Sequence, residues 1–250
     1  MLGRSMHGVS YDEIHDEIVV PQAFAQSILT FRGGASGEEA PIRVIQGSRT
    51  QLKSPDKVAV DPVHNEIFVA GDEAVLVFSR EANGNVAPIR ILQGPDTQLG
   101  ASEVAVDPVH NLLVVAGSAR GGAEGRREED GGSAVRIFNR TDQGNVRPQA
   151  VIRGPKTGLT GTSRIAVYPP TGKIIVNVSA GYGVLASDEC FVGIWNIQDN
   201  GDVPPQWTIG GPRGILQQPR GVTLDPKNRS LIVSDKRLNA VLTFYFPEIF

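Results

Sequence analysis

The sequence has 250 residues, with 24 Lys and Arg against 27 Asp and Glu and a net charge of −3. This near balance argues against a general nucleic-acid binder, which needs a basic stripe to neutralise phosphates. A single cysteine, Cys190, excludes an internal disulfide and a zinc site built on paired cysteines. No apolar run is long enough for a signal peptide or a transmembrane helix, so we expect no membrane-spanning segment.

Two phrases recur along the chain. The first is "KVAVDPVHNEIFVAG" at Lys57 and "EVAVDPVHNLLVVAG" at Glu103, with looser copies at Gly8, Arg164 and Gly221. The second follows it, as "APIRVIQGSRTQL" at Ala40 and "APIRILQGPDTQL" at Ala87, with looser copies at Arg147 and Pro204. A period of about 40–60 residues that is rich in β-branched residues and punctuated by Gly and Pro is typical of a propeller blade.

The second unit shows how one period divides into strands. Four strand-like runs follow one another, "KVAVD", "EIFVAG", "AVLVFSR" and "APIRILQG". Asp61-Pro62-Val63-His64-Asn65 has the composition of a tight turn, and Asn83-Gly84 supplies hairpin chemistry before the last run. Small residues at the centre of each first strand, such as Ala59 and Ala105, are expected to face the axis. We therefore predict an all-β fold, a β-propeller of four-stranded antiparallel blades with five visible repeats.

The fifth repeat is incomplete. We predict one propeller domain over 1–250, and its blades span about 8–55, 56–102, 103–163, 164–219 and 220–250. The last blade stops after its third strand, so its edge residues Val241, Thr243, Tyr245 and Phe246 are the predicted strand-addition edge. Three explanations remain open: a natural three-stranded blade, an upstream segment that completes it, or a strand from another molecule. The "FPEIF" tail is also expected to dock on a neighbour.

The repeated phrases resemble bacterial NHL-type β-propeller repeats over nearly the whole chain. Framework positions of that pattern are held by Pro41, Gly47, Pro88, Gly94, Pro148, Gly154, Gly211 and Pro219. The resemblance implies a propeller that is often six-bladed and often exported to the periplasm or outside the cell. It leaves closure with five or six blades open. Because such proteins include binding modules, scaffolds and some enzymes, it does not define an activity.

A ligand or partner face is predicted at the channel mouth, where the first strands begin. Lys57, Glu103 and Arg164 lie there by parity, between Gly8 and Gly221 at the equivalent positions of the outer repeats. We favour a solvated ring of charges with weak ion pairs. The loop Ala180–Cys190 would add Tyr182, Leu185 and Asp188 to this face, whereas the Gly-rich insertion Ser118–Ser133 is expected to be a mobile excursion.

No catalytic motif emerges from the repeat. His64 and His110 occupy equivalent turns of different blades and would not converge on a metal, so we predict no metal ligand, no catalytic residue and no cofactor. The leading hypothesis is a non-catalytic interaction or scaffold protein, binding a protein partner or self-assembling by strand addition, even into filaments. The alternatives are a ligand-binding or lactonase- or lyase-like propeller enzyme and a part of a longer six-bladed exported propeller.

Overall fold

The protein is a five-blade β-propeller of antiparallel sheets, and the computed structural model describes residues 8–71, 73–118, 132–179 and 190–250. Each blade is a meander whose strands pair in chain order. The strands of the first two blades are β1 Ser10–Asp12, β2 Glu17–Gln22, β3 Ser27–Arg32 and β4 Arg43–Gln46, then β5 Lys57–Asp61, β6 Glu66–Gly71, β7 Ala74–Ser79 and β8 Arg90–Gln93.

The remaining three blades repeat this order, except that the last has three strands. Blade 3 has β9 Ala101–Asp107, β10 Leu112–Ser118, β11 Ser133–Asn139 and β12 Ala150–Ile152. Blade 4 has β13 Thr162–Tyr168, β14 Lys173–Val178, β15 Phe191–Asn196 and β16 Trp207–Gly210, and blade 5 has β17 Pro219–Asp225, β18 Ser230–Asp235 and β19 Ala240–Tyr245. Short 3₁₀ turns lie at Ser48–Thr50, Pro95–Thr97, Pro155–Thr157, Pro169–Thr171 and Pro247–Ile249.

Alternation along each strand places its side chains on the two faces of a blade. In blade 2, Val58 and Val60 pack towards blade 1, whereas Ala59 between them packs with Val104 and Leu113 of blade 3. Small residues of the first strand therefore allow the next blade to approach closely. The apolar runs of the repeat are buried because both faces of an internal blade are covered.

Four apolar cores join the blades. One cluster of buried side chains joins blades 1 and 2, a second joins blades 2 and 3, a third joins blades 3 and 4, and the fourth joins blades 4 and 5. Among the described residues, no such cluster joins blade 5 to blade 1. Because apolar burial is the main source of stability, the seam between blades 5 and 1 lacks the interaction that holds every other pair of neighbouring blades.

In blades 1, 2, 3 and 5 the turn between the first and second strands is built on an aspartate. Asp61 is buried, and its carboxylate accepts hydrogen bonds from the backbone N–H of Val63 and His64, with His64 Nδ1 2.8 Å from its other oxygen. Asp107 and His110 repeat this arrangement in blade 3. The aspartates cap turns as the sequence predicts, and these two histidines are turn residues. No helix in the described ranges is long and apolar enough to span a bilayer.

Candidate functional site

The outer edge of blade 5 is open. Its sheet has the order β17-β18-β19, and no described strand pairs with the far side of β19. Val241, Thr243 and Tyr245 alternate along β19 as exposed residues, with Val241 69% and Tyr245 70% exposed. The equivalent positions of blade 4, Val192 and Ile194, are fully buried. In the described part of the chain, β19 is therefore unpaired on its far side and carries exposed side chains.

One backbone carbonyl of the third strand marks where the outer strand of a blade begins to pair. In blades 1 to 4, the third strand's carbonyl at Thr30, Val77, Ile137 and Ile194 accepts a backbone N–H from the chain that enters the outer strand, at 2.7–2.8 Å. The equivalent residue of blade 5 is Thr243. No backbone donor reaches its carbonyl from the part of the chain that the structure describes. An unpaired edge of this kind is a template for another strand.

Two predictions for the C-terminal end are wrong. Phe246 lies one residue beyond β19, donates its N–H to the Arg229 carbonyl at 2.9 Å, and packs edge-on against the Trp207 ring of blade 4. It belongs to the core between blades 4 and 5 rather than to the open edge. The "FPEIF" tail docks within its own chain, because Ile249 is fully buried in that core and Phe250 packs edge-on against Tyr168.

The outer strands of blades 1 to 3 are covered by the following blade. The loop before each next outer strand carries a glycine, and this residue forms a parallel bridge with the preceding outer strand, as Gly84 does with Ile45. Gly84 donates its N–H to Val44 and accepts from Gln46 at 3.1 Å, and Asn83 Oδ1 accepts from Val44 at 2.9 Å. Gly144 on β8 and Gly201 on β12 repeat the bridge. These loops, predicted only as turns, seal exposed sheet edges.

A side chain completes each seal. Asn85 Oδ1 accepts the N–H of Arg49 at 2.8 Å and sits against Gly47, where an added Cβ would lie 2.5 Å from it. Asn145 and Asp202 lie against Gly94 and Gly154 in the same way. The equivalent glycine of blade 4 is Gly211, and a Cβ added there meets no described atom within 4 Å. Blade 4 thus lacks its seal because blade 5 lacks the loop that would supply it.

Buried ion pairs also join the outer strands to the next blade. Glu66 of β6 accepts from both terminal nitrogens of Arg90, at 2.7 and 2.6 Å, and from Arg140 of blade 3. Burial raises the pKa of Glu66, but the hydrogen bonds and charges of Arg90 and Arg140 outweigh it and leave the pKa below its usual range. Glu17 binds Arg43 and Arg80 in the same arrangement.

Blade 4 replaces this ion pair with a cation–π contact. Lys173 stands where Glu66 does, and its Nζ lies 5.0 Å from the centroid of the Trp207 ring. Trp207 in turn occupies the position of Arg90 and packs on Phe246 of blade 5. The same interblade contact is therefore made without a carboxylate.

Blade 1 presents an apolar face towards the seam. Val9 and Tyr11 are 54% and 56% exposed, whereas the equivalent Val58 and Val60 of blade 2 are 2% and 7% exposed. Ile18, Val20, Leu29, Phe31 and Val44 share this face and are partly exposed. In blade 2 the equivalent face is covered by the preceding blade, whereas on blade 1 this apolar face stays partly exposed.

The channel mouth brings together the predicted charged residues. Lys57 Nζ lies 3.3 Å from a Glu103 carboxylate oxygen, and Arg164 Nη1 lies 3.8 Å from the other oxygen. The Glu103 side chain is only 3% exposed, so the prediction of a solvated ring is wrong for this residue. Burial raises the pKa of Glu103 to about 7, although Lys57 and Arg164 act in the opposite direction.

Further polar groups surround this mouth. Arg164 Nη2 donates to the Val9 carbonyl at 2.9 Å and so connects blade 4 to blade 1. Asn177 pairs with Arg164 in the β13–β14 register and is fully buried, and neither atom of its side-chain amide has a hydrogen-bond partner within the described ranges. The predicted residues Tyr182, Leu185 and Asp188, and the interior of the Ser118–Ser133 insertion, lie outside the described residues.

Comparison with known proteins supports the fold alone. No family model matches the sequence, so the NHL type is not confirmed, and no curated protein matches it. The fold is similar to a solved structure titled Kuenenia stuttgartiensis hydrazine synthase, with a TM-score of 0.63 and 12% identity. The match covers 92% of this chain and 55% of that chain, so this chain spans about half of it.

Sequence reasoning missed three features of the site. It assigned the Asn-Gly loops to turns, although the recurrence of their glycine eight residues before the Ile or Leu of each outer strand was visible. It overlooked the pairing of Glu17 with Arg43 and of Glu66 with Arg90, which recurs in the first two repeats at separations of 26 and 24 residues. The burial of Glu103 had no sequence signal, because the equivalent residues are Lys57 and Arg164.

Proposed function

We propose that this protein is a non-catalytic interaction or scaffold propeller that receives a β-strand from another polypeptide at the open edge of β19. The observation that carries the proposal is the exposed, unpaired strand with Val241, Thr243 and Tyr245 on its outer face. Strand addition at a sheet edge gives affinity through main-chain hydrogen bonds and specificity through alternate side chains. The apolar face of blade 1 across the seam supplies a second wall for the bound element.

Self-assembly is one form of this proposal. A strand from a second copy would make a head-to-tail contact, which forms rings where the rotation closes and filaments where it does not. We would measure the mass of the chain in solution by light scattering, with negative-stain imaging of the same sample. The test variant carries Val241→Lys and Thr243→Lys, because lysines on an edge strand oppose pairing.

A matched control places the same two charges elsewhere. Val63→Lys and Val109→Lys change two exposed residues in turns away from β19. If a second copy supplies the strand, the wild type and the control form assemblies and the edge variant is a monomer. Assemblies that persist in the edge variant would contradict a role for β19. A wild type that stays monomeric would exclude a second copy as the donor and leave another polypeptide.

We propose ligand binding or hydrolysis at the channel mouth as the alternative function. It is favoured by Glu103, a buried carboxyl group with a pKa near neutrality between two cations, since such a group is suited to acid–base chemistry. The test compares wild type with Lys57→Ala, Glu103→Gln and Arg164→Ala in ligand-binding and lactone-hydrolysis assays. If all three variants match the wild type in both assays, this alternative fails.

A further inference from the structure

Blades 4 and 5 lack the same piece of chain. In blades 1 to 3, the segment that forms the next blade's outer strand first seals the preceding outer strand through its glycine and then pairs with its own third strand. Among the described residues blade 5 has no outer strand, so no described segment lies on the far side of β16 or on the far side of β19. One bound element could therefore fill two neighbouring edges.

The structure defines what such an element must contain, because the chain holds three examples. They are Asn83 to Gly94, Gln143 to Gly154 and Asn200 to Gly211. Their common pattern begins with Asn or Gln, then Gly, then Asn or Asp, and then Val. It continues with any residue, Pro and any three residues, and it ends with Ile or Leu, any residue and Gly. The first three positions seal the previous blade, and the Ile or Leu faces the next blade, where Leu92 is 1% and Ile152 0% exposed.

Blade 4 has the positions that this pattern would contact. The residues of β16 that correspond to Val44 and Gln46 are Thr208 and Gly210, whose backbone groups would bind the glycine and the preceding amide as in blade 1. The space against Gly211, which Asn85 fills at Gly47, contains no described atom. On β19, the strand part would pair from Thr243 to Ala240, with its Ile or Leu opposite Val241, since Leu92 pairs with Val75.

We propose, building on the proposed function, that the edges of β16 and β19 bind a segment of another polypeptide that carries this Gly-Asn/Asp-Val-x-Pro pattern followed by Ile or Leu. The occupant comes from another protein rather than a second copy, because each of this chain's own three segments is already held in its blade. The glycine of the segment bridges Ile209, its Asn or Asp side chain occupies the space against Gly211, and its strand closes blade 5.

The test uses a synthetic peptide with the sequence of residues 82–94, ANGNVAPIRILQG, labelled with a fluorophore. Its binding to the full chain is followed by fluorescence anisotropy, with one site per chain expected. A first control peptide carries Asn83→Ala and Asn85→Ala, which removes the sealing side chains. A second carries Leu92→Asp at the apolar position beside Val241. We expect each to bind at least about tenfold more weakly, because hydrogen bonds and apolar burial are lost.

A protein variant locates the bound peptide. Gly211→Ala places a methyl group where the peptide's Asn would lie, and we expect it to weaken binding at least about tenfold. Gly37→Ala is the matched control, since Gly37 also has a positive φ and open space around it, with a φ of 63° against 85° at Gly211. Both carry the backbone strain of a non-glycine residue there. Thermal unfolding of both variants confirms that the fold is retained.

The outcomes separate the pattern from the proposed function. Binding that Gly211→Ala weakens and Gly37→Ala does not supports the proposal. Absence of binding, or equal binding by all three peptides, overturns it. A further case is that the peptide result overturns the pattern, while the wild type forms assemblies that the Val241→Lys, Thr243→Lys variant does not form. Strand addition at β19 is then supported, and only the pattern is wrong. If the peptide does not bind and the wild type stays monomeric, the pattern is wrong and a second copy is excluded as the strand donor.

Discussion

Blades 4 and 5 are built from the same repeat and end differently. In blade 4, Val192 and Ile194 are fully buried because blade 5 covers them. In blade 5, the equivalent Val241 is 69% exposed and Thr243 is also exposed. The exposed residues of β19 lie where no described element covers the blade.

The largest expected difference is in stability. Ile194→Ala should lower the free energy of unfolding by about 3 kcal/mol, because it opens a cavity in the core between blades 4 and 5. Thr243→Ala at the equivalent exposed position should change it by less than about 0.5 kcal/mol. Urea unfolding of the two variants measures this contrast. Equal losses would mean that the open face of blade 5 is packed in solution.

The second prediction concerns Glu103 at the channel mouth, whose equivalent in blade 5 is the uncharged Gly221. Burial raises the pKa of Glu103 from 4.5 to about 7. The contribution of the protonated Glu103 side chain to the free energy of unfolding is therefore fully present below about pH 4.5 and is lost as the pH rises towards 7. The loss should reach as much as about 3 kcal/mol. Glu103→Gln should remove this part of the pH dependence of unfolding. A variant whose stability falls as steeply as that of the wild type between pH 4.5 and 7 would refute this assignment.

The third and smallest prediction contrasts two interblade contacts. Glu66→Gln should cost about 1–2 kcal/mol at pH 7, because Arg90 and Arg140 lose a buried carboxylate. The lowered pKa of Glu66 means that the wild type loses this stabilisation as the pH falls below about 4.5. Lys173→Met, in the contact of blade 4, should cost less than about 1 kcal/mol and add no dependence on acid. Chemical unfolding at pH 7 and pH 3.5 tests both, and an unchanged gap between wild type and Glu66→Gln at the two pH values would contradict the assignment.

Most of the fold follows from periodicity in the sequence. Alternation in β5 and β6, the Asp61 turn and the 47-residue spacing of the two clearest repeats predict four-stranded blades, and the missing strand of blade 5 is visible as a missing phrase. These features depend on residues that are close together in the sequence, within a single repeat. The sequence therefore also predicts Val241 and Thr243 on the open edge.

The rest depends on which groups meet across blades. The seal of Gly47 by Asn85 joins residues 38 positions apart, and each of them alone has the composition of a turn. Phe246 has the parity of Leu242 and Phe244, which pack in the core between blades 4 and 5, and it contacts Trp207 of blade 4 there. Glu103 is buried because Lys57 and Arg164 approach it from the two neighbouring blades, a relation that no single repeat contains.

Hydrogen exchange on β15 and β19 tests the open edge most directly. In dilute samples of the chain alone, we predict that the amides of β15, which is paired on both sides, exchange slowly, whereas those of β19 that face away from β18 exchange at least about a hundredfold faster. Addition of the 82–94 peptide should slow the exchange of β19 and leave that of β15 unchanged. A monomer whose β19 amides are as protected as those of β15 would mean that blade 5 is closed within its own chain, and strand addition from another polypeptide would be excluded.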